Sequence, residues 1–233
     1  MKTTTQETLV EKGMARRSFL KFAGTGAVAA GVLATAASCQ KHGGVVSDYV
    51  PTALDLGSGD IGVLNYAYAL EQLEAAFYTQ VVATPYTGIT PEELALLTEI
   101  RDHEIVHREF FKAALSGNAI PALKPNFSSI TFTSRASVLG TAKTFEDLGV
   151  AAYNGAGYLI KNVEYLALAG KIVSVEARHA ALIRTLLNQP ILDDTIANVG
   201  TYSIEYAKAP KDVVGIANAF ISGLPLYALN VGM

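Results

Sequence analysis

The sequence predicts an all-α fold in which four long helices form a bundle and a C-terminal extension follows. Apolar residues recur at every third or fourth position along four segments, which is the period of a helix with one buried face. The first and second segments, and the third and fourth, are joined by short links, so these helices are expected to be antiparallel neighbours. A long link between the second and third allows the third helix to start at the other end of the bundle.

Start and stop signals place the first two helices. The first is predicted over residues 61–82. The second is predicted over 90–117, with Thr90 as its N-cap, Pro91 in its first turn and Glu93 at the third helical position of a capping box. These signals make the second helix the most clearly bounded of the four.

The later helices follow a long crossover. Residues 118–133 hold two prolines and several β-branched residues, so they are predicted to be this crossover. The third helix is predicted to begin at Ser134, and the fourth to run from about Asn162 until Pro190 stops it. No strand is predicted, apart from a possible short extended piece in "SITFT" at 129–133.

The bundle is therefore predicted over residues 60–190 and the C-terminal extension over 191–233. The extension is expected to be loop with one short helical stretch at 212–220. Two roles for it stay open, covering an end of the bundle or forming an interface. Whether the chain forms a homo-oligomer is also open.

The first 38 residues are predicted to be an export signal. Arg16-Arg17 precedes a run rich in Ala and Gly and then small residues, which resembles a twin-arginine signal. "AASC" resembles a bacterial lipoprotein box, so Cys39 is expected to be acylated, with residues 39–59 as a tether and the protein anchored on the periplasmic side of a membrane. Cleavage without lipid and a retained anchor are the alternatives, although the apolar run at 22–38 is marginal for a span.

The charge of the chain excludes one class of partner. The first 38 residues hold five of the 18 Lys and Arg and two of the 21 Asp and Glu, which leaves 13 basic and 19 acidic residues. A net charge of −6 on this remainder gives no basic surface for nucleic acid. Cys39 is the only cysteine, so no internal disulfide is possible.

Two Glu-x-x-His motifs carry the strongest chemical signal. The second helix holds Glu104 and His107, and the fourth holds Glu176 and His179. Residues three apart lie on one face of a helix, so each motif can direct one carboxylate and one imidazole at the same metal ion. Either motif alone is weak evidence, because such spacings are common on helix surfaces. Two copies on separate helices of one bundle predict a shared metal site.

The first and third helices are expected to add one carboxylate each. On the third helix Asp147 lies about 100° away from Glu146, so only one of the two can face inward, and Glu146 is chosen. On the first helix Glu71 and Glu74 lie on the same face, and this pattern alone does not choose between them.

An internal repeat favours Glu71. Tyr78 follows Glu71 by seven residues, and Tyr153 follows Glu146 by seven. Glu71 also precedes the first Glu-x-x-His by 33 residues, and Glu146 precedes the second by 30. The chain thus reads as two similar helix pairs, and Glu74 is kept as a supporting group or alternative ligand.

The segments "LNYAYALEQLEAAFY", "DHEIVH", "FEDLGVAAYNGA" and "IVSVEARHAALI" resemble exported bacterial ferritin-like proteins related to plant desiccation-related proteins. More distantly they resemble ferritins, bacterioferritins and rubrerythrins. The resemblance covers about residues 60–190 and implies a ferritin-like four-helix bundle with a di-iron or di-manganese centre. It implies tyrosines near that centre, matching Tyr78 and Tyr153. The implied ligands are Glu71, Glu104, His107, Glu146, Glu176 and His179.

This ligand set contains carboxylates and imidazoles and no thiolate, which suits iron or manganese. Four carboxylates balance the charge of two divalent ions. The expected chemistry is redox, with Fe(II) oxidised by O2 or peroxide, and with Tyr78 or Tyr153 as electron donor or hydrogen-bonding neighbour. Whether the site turns over is open. Metal storage or binding without turnover, and a stress-protection scaffold, are the alternatives.

Overall fold

The computed structural model describes residues 52–233. The predicted signal at 1–38, Cys39 and the tether as far as residue 51 lie outside the described residues. Within 52–233, no helix combines the length and the apolar character needed to cross a membrane.

The described residues form five α-helices, which confirms the predicted all-α fold. Helices 1 to 4 begin and end within a few residues of the predicted limits. The short fifth helix lies in the C-terminal extension and continues into a 3-10 turn at Asn218–Phe220. The helices are α1 Gly59–Ala83, α2 Pro91–Leu115, α3 Arg135–Ala156, α4 Val163–Leu186 and α5 Pro210–Ala217.

Side-chain caps explain why several helices start where they do. The Thr90 hydroxyl accepts a hydrogen bond from the Glu93 amide at 3.2 Å, which is half of a capping box. The Glu93 carboxylate does not close the box, because it binds Arg135 at the start of α3 at 2.6 Å. Asn162 accepts a bond from the Glu164 amide at 2.9 Å and so begins α4.

The four long helices pack in pairs, α1 against α2 and α3 against α4, and α1 also contacts α3. This is the ferritin-like connectivity, with residues 116–134 as the crossover. Asn65 of α1 holds the crossover in place, since its side chain accepts from the Ile120 amide at 2.9 Å and donates to the Asn118 carbonyl at 3.0 Å.

Two apolar clusters fill the bundle. One contains Leu70 and Phe111, and the other contains Phe77 and Ile100. On α2, α3 and α4 the glutamates and histidines of the predicted site fall between the segments that enter the two clusters, and on α1 Glu71 lies near the end of the segment that enters the first cluster. The core is therefore interrupted by one polar layer at mid-height, where water is excluded from both sides.

The C-terminal extension completes the core along α1 and α3. Val213 and Leu226 lie in the same apolar cluster as Leu70. The Phe220 ring packs edge-on against Phe145, with centroids 4.8 Å apart. Of the two roles left open by the sequence, covering the bundle is the one these contacts show.

Two short strands were not predicted. Leu54–Asp55 pairs in parallel with Leu226–Tyr227, which joins the start of the described chain to its end. Residues 129–133 form turns and no strand, so the extended piece suggested there is wrong. A two-residue strand has no period to detect, and its partner lies about 170 residues away in the sequence, so no local pattern indicates either one.

Candidate metal centre

The polar layer brings together all six residues that the two helix pairs were predicted to supply. One comes from α1, two from α2, one from α3 and two from α4. All are buried, with relative exposures from 0% to 9%. The six are Glu71, Glu104, His107, Glu146, Glu176 and His179.

These side chains form two groups that could each hold a metal ion, and within each group the candidate ligand atoms lie within 4.8 Å of one another. Glu104 and Glu176 belong to both groups. The His107 group is Glu71, Glu104, His107 and Glu176, and the His179 group is Glu104, Glu146, Glu176 and His179.

The histidines face the carboxylates with Nδ1. Nδ1 of His107 lies 2.8 Å from Glu176 Oε1 and 3.4 Å from Glu71 Oε2. Nδ1 of His179 lies 2.7 Å from Glu104 Oε1 and 3.6 Å from Glu146 Oε2. The two groups are thus arranged alike, and in each the imidazole touches a shared carboxylate from the opposite helix pair.

The facing atoms are close to one another but not directed for hydrogen bonding. Glu71 and Glu146 each leave one buried oxygen without a hydrogen-bond partner, and Glu104 and Glu176 each leave two. Both Nδ1 atoms are also without a hydrogen-bond partner. Buried polar atoms that remain unbonded are costly, and they are rare in folded proteins. Their convergence, and a donor set of carboxylate and imidazole, fit bound metal ions.

The two tyrosines of the repeat hydrogen-bond across the bundle. Tyr78 on α1 donates to Glu146 Oε1 on α3 at 2.5 Å, and Tyr153 on α3 donates to Glu71 Oε1 on α1 at 2.5 Å. Burial raises the pKa of both phenols well above its ordinary value, so both hydroxyls stay protonated and can donate. Each bond leaves only Oε2 of its glutamate facing the centre.

Without metal, the cluster retains protons. Burial raises the pKa of Glu71 well above its ordinary value, and the neighbouring Glu176 charge adds to this. Burial likewise raises the pKa of Glu146 to about 8. Burial would lower the pKa of His107 and His179, but the surrounding carboxylates outweigh it and raise both to about 12.

The pKa of Glu104 shifts in the opposite direction from those of Glu71 and Glu146. Burial would raise its pKa, but the close contacts with protonated His107 and His179 outweigh burial and lower it. In the metal-free cluster, protons on His107 and His179 therefore balance the negative charge of Glu104. Metal ions would have to displace those protons in order to bind.

Two neighbouring acids lie outside the groups. Glu74 is buried, but its carboxylate lies toward Gly149, where an added Cβ would stand 3.2 Å from Glu74 Oε1. The structure thus places Glu71, and not Glu74, among the facing atoms. Asp147 points away from Glu146 and binds Arg184 at 2.7 Å, a pair that ties α3 to α4.

His103 touches the centre although it was not among the predicted ligands. Its Nδ1 lies 2.9 Å from Nε2 of His179. The only signal in the sequence is its place directly before Glu104, which is about 100° round the helix and so beside the ligand face.

A four-helix bundle with two single glutamates and two Glu-x-x-His pairs facing inward is the arrangement of the ferritin-like carboxylate metal proteins. Comparison with protein families agrees with this class. The ferritin-like domain matches residues 59–189, more than half of the chain, and the chain belongs to that family. No match was found among the curated proteins.

Proposed function

We propose that the protein is an exported redox protein that binds two iron or manganese ions and reacts with O2 or peroxide. The observation that carries the proposal is the pair of overlapping Glu and His groups, in which Glu104 and Glu176 are shared. Iron or manganese bound there would supply redox change and coordination positions open to O2 or peroxide.

The chain's own residues prepare this site. Glu104 and Glu176 have both oxygens unbonded, so each can serve both groups. Tyr78 and Tyr153 orient Glu146 and Glu71 and hold one oxygen of each away from the centre. The apolar clusters on either side exclude water, which strengthens the attraction between carboxylates and cations.

Location is a second part of the proposal. The twin-arginine-like signal exports folded proteins, which suits a metal site filled before export. Acylation of Cys39 would then tether the bundle to a membrane on the periplasmic side. Residues 39–59 would supply the tether. The resemblance to desiccation-related proteins favours stress protection as the setting for the redox chemistry.

Metal content and oxidation test the proposal. Protein matured in cells is analysed for metal, and metal-free protein receives Fe(II) without oxygen and then O2. We expect two metals per chain, and O2 should take two electrons from two ferrous ions, with two protons, to give hydrogen peroxide. The variants Glu104→Gln and Glu176→Gln should lose this reaction.

Glu109→Gln is the matched control, since Glu109 is an exposed glutamate on the same helix as Glu104. It should keep both metals and the wild-type rate. Fewer than two metals in the wild type, or equal oxidation in Glu104→Gln and wild type, would overturn the di-metal proposal. A single stoichiometric oxidation with no further turnover would show storage in place of catalysis.

A further inference from the structure

An exposed histidine, His103, contacts the edge of His179 that faces away from the carboxylates. His103 lies on the solvent side of α2, directly before Glu104. The plane of its ring is inclined by 14° to that of the His179 ring on α4, and the ring centroids are 5.2 Å apart. Nδ1 of His103 and Nε2 of His179 are 2.9 Å apart, which is hydrogen-bonding distance.

The direction of this bond follows from the other face of His179. Nδ1 of His179 faces the carboxylates, 2.7 Å from Glu104 Oε1. An imidazole that offers its Nδ1 lone pair to a metal carries its hydrogen on Nε2. His179 would therefore donate from Nε2 to Nδ1 of His103. Such a bond fixes both the tautomer and the ring orientation of a metal-binding histidine.

The other half of the centre lacks this support. Among the described residues, the contacts of His107 with Glu71, Glu104 and Glu176 are all made by Nδ1, and no side-chain hydrogen bond is seen at Nε2. The residue that precedes Glu176, as His103 precedes Glu104, is Val175. Valine has no side-chain acceptor, so the repeat that makes the two groups similar fails at this one position.

We propose that His103 is a positioning residue for the His179 group alone, and that it makes the two metal positions unequal in affinity. This inference rests on the proposed di-metal site. The hydrogen bond holds the His179 ring with Nδ1 toward Glu104, Glu146 and Glu176. The His107 group must hold its imidazole without such a partner. The two positions should therefore fill in sequence, the His179 group first.

A double-mutant design isolates each position. Glu71 belongs only to the His107 group and Glu146 only to the His179 group. Glu71→Ala therefore leaves the His179 group, and Glu146→Ala leaves the His107 group. Adding His103→Ala to each variant asks which remaining position depends on His103. Affinities are measured by anaerobic titration with Co(II), whose visible absorption reports each bound ion independently of redox activity.

We expect His103→Ala to weaken Co(II) binding by about 10- to 100-fold in the Glu71→Ala protein, the usual effect of losing such a partner. It should change binding less than about twofold in the Glu146→Ala protein. His103→Asn should restore most of the affinity, because the Asn carbonyl oxygen can accept the same hydrogen bond. Val106→Ala, at an exposed position of the same helix, is the control and should change neither affinity.

Equal weakening of both positions by His103→Ala, or no weakening of either, would overturn the inference. So would an Asn variant that binds as poorly as the Ala variant, because the histidine would then act by packing. If wild-type protein binds no Co(II), the di-metal proposal itself fails, and this result is distinct from two normal sites that are indifferent to His103. The two ideas are thus tested separately.

Discussion

The crossed tyrosine bonds are the clearest single-residue feature of the centre. Each repeat supplies a glutamate and a tyrosine on one helix, yet each tyrosine binds the glutamate of the other repeat. The E-x6-Y spacing predicts that glutamate and tyrosine recur together. It cannot predict the crossed pairing, because that depends on the register between α1 and α3, which no spacing within one helix encodes.

Tyr78→Phe tests what the crossed bond contributes. The change leaves Glu146 Oε1 buried without a donor, which typically costs about 1–3 kcal/mol. We therefore expect Tyr78→Phe to lower the free energy of unfolding of the metal-free protein by this amount, measured by unfolding in urea. Tyr66→Phe is the matched control, because the buried Tyr66 hydroxyl has no partner to lose. An equal loss in both variants would assign the effect to packing.

Glu71 and Glu74 give a second test at the residue scale. The sequence leaves both on one face of α1, and only their surroundings differ. Glu71 Oε2 faces the centre, whereas Glu74 lies against Gly149. We expect Glu71→Gln to lose one of two metals, measured as metal per chain, and Glu74→Gln to keep both. The reverse result would make Glu74 the ligand.

Among the helices, α3 shows that the packing of a helix can depend on a distant segment that no pattern within the helix indicates. The helix itself was predictable, since Ser134 caps it and its apolar period is regular. Its contact with the extension was not predictable. The Lys208 amide donates to the Ala151 carbonyl at 2.9 Å, so backbone lies directly on backbone.

Gly155 permits this contact. A Cβ at Gly155 would stand 1.8 Å from the Lys208 carbonyl oxygen, and both are backbone positions that cannot rotate away. We expect Gly155→Ala to destabilise the protein by about 3 kcal/mol, the upper range for overpacking, measured by urea unfolding. It should also expose the extension to proteolysis.

Gly140→Ala is the matched control in the same helix. An added Cβ at Gly140 meets nothing within 4 Å. Alanine is the better helix former by about 0.5–1 kcal/mol, so this variant should be more stable than wild type. If Gly155→Ala were equally stabilising, the extension would not pack on α3 as described.

At the scale of the whole molecule, the residues that form the metal centre destabilise the fold when no metal is bound. The bundle buries four carboxylates between two apolar clusters, where their mutual repulsion and loss of hydration destabilise the ionised, metal-free form. Sequence patterns predicted which residues meet there, because helix faces and repeat spacing determine it. They do not predict the protons that the cluster retains, since these depend on burial and on distances between helices.

The retained protons predict how stability varies with pH. Glu146 has its pKa raised from 4.5 to about 8, and His107 and His179 have theirs raised from 6.5 to about 12. The folded metal-free protein therefore binds more protons than the unfolded chain. Stability from Glu146 is complete below about pH 4.5 and is lost as the pH rises through about 8, and the histidines act in the same direction above 6.5.

We therefore expect the free energy of unfolding of metal-free protein to fall between about pH 5 and pH 8, by up to ~1.4 kcal/mol per pH unit for each additional proton retained, and its Tm to fall with it. Metal-loaded protein should show the opposite trend, because rising pH removes the protons that compete with the ions. Calorimetry with and without Mn(II), an ion that avoids oxidation during the scan, measures both trends.

The gap between the two Tm values should widen as the pH rises. A gap that stays constant would mean that the ions bind elsewhere than on these protonated groups, and the Glu104→Gln variant should lose the gap altogether.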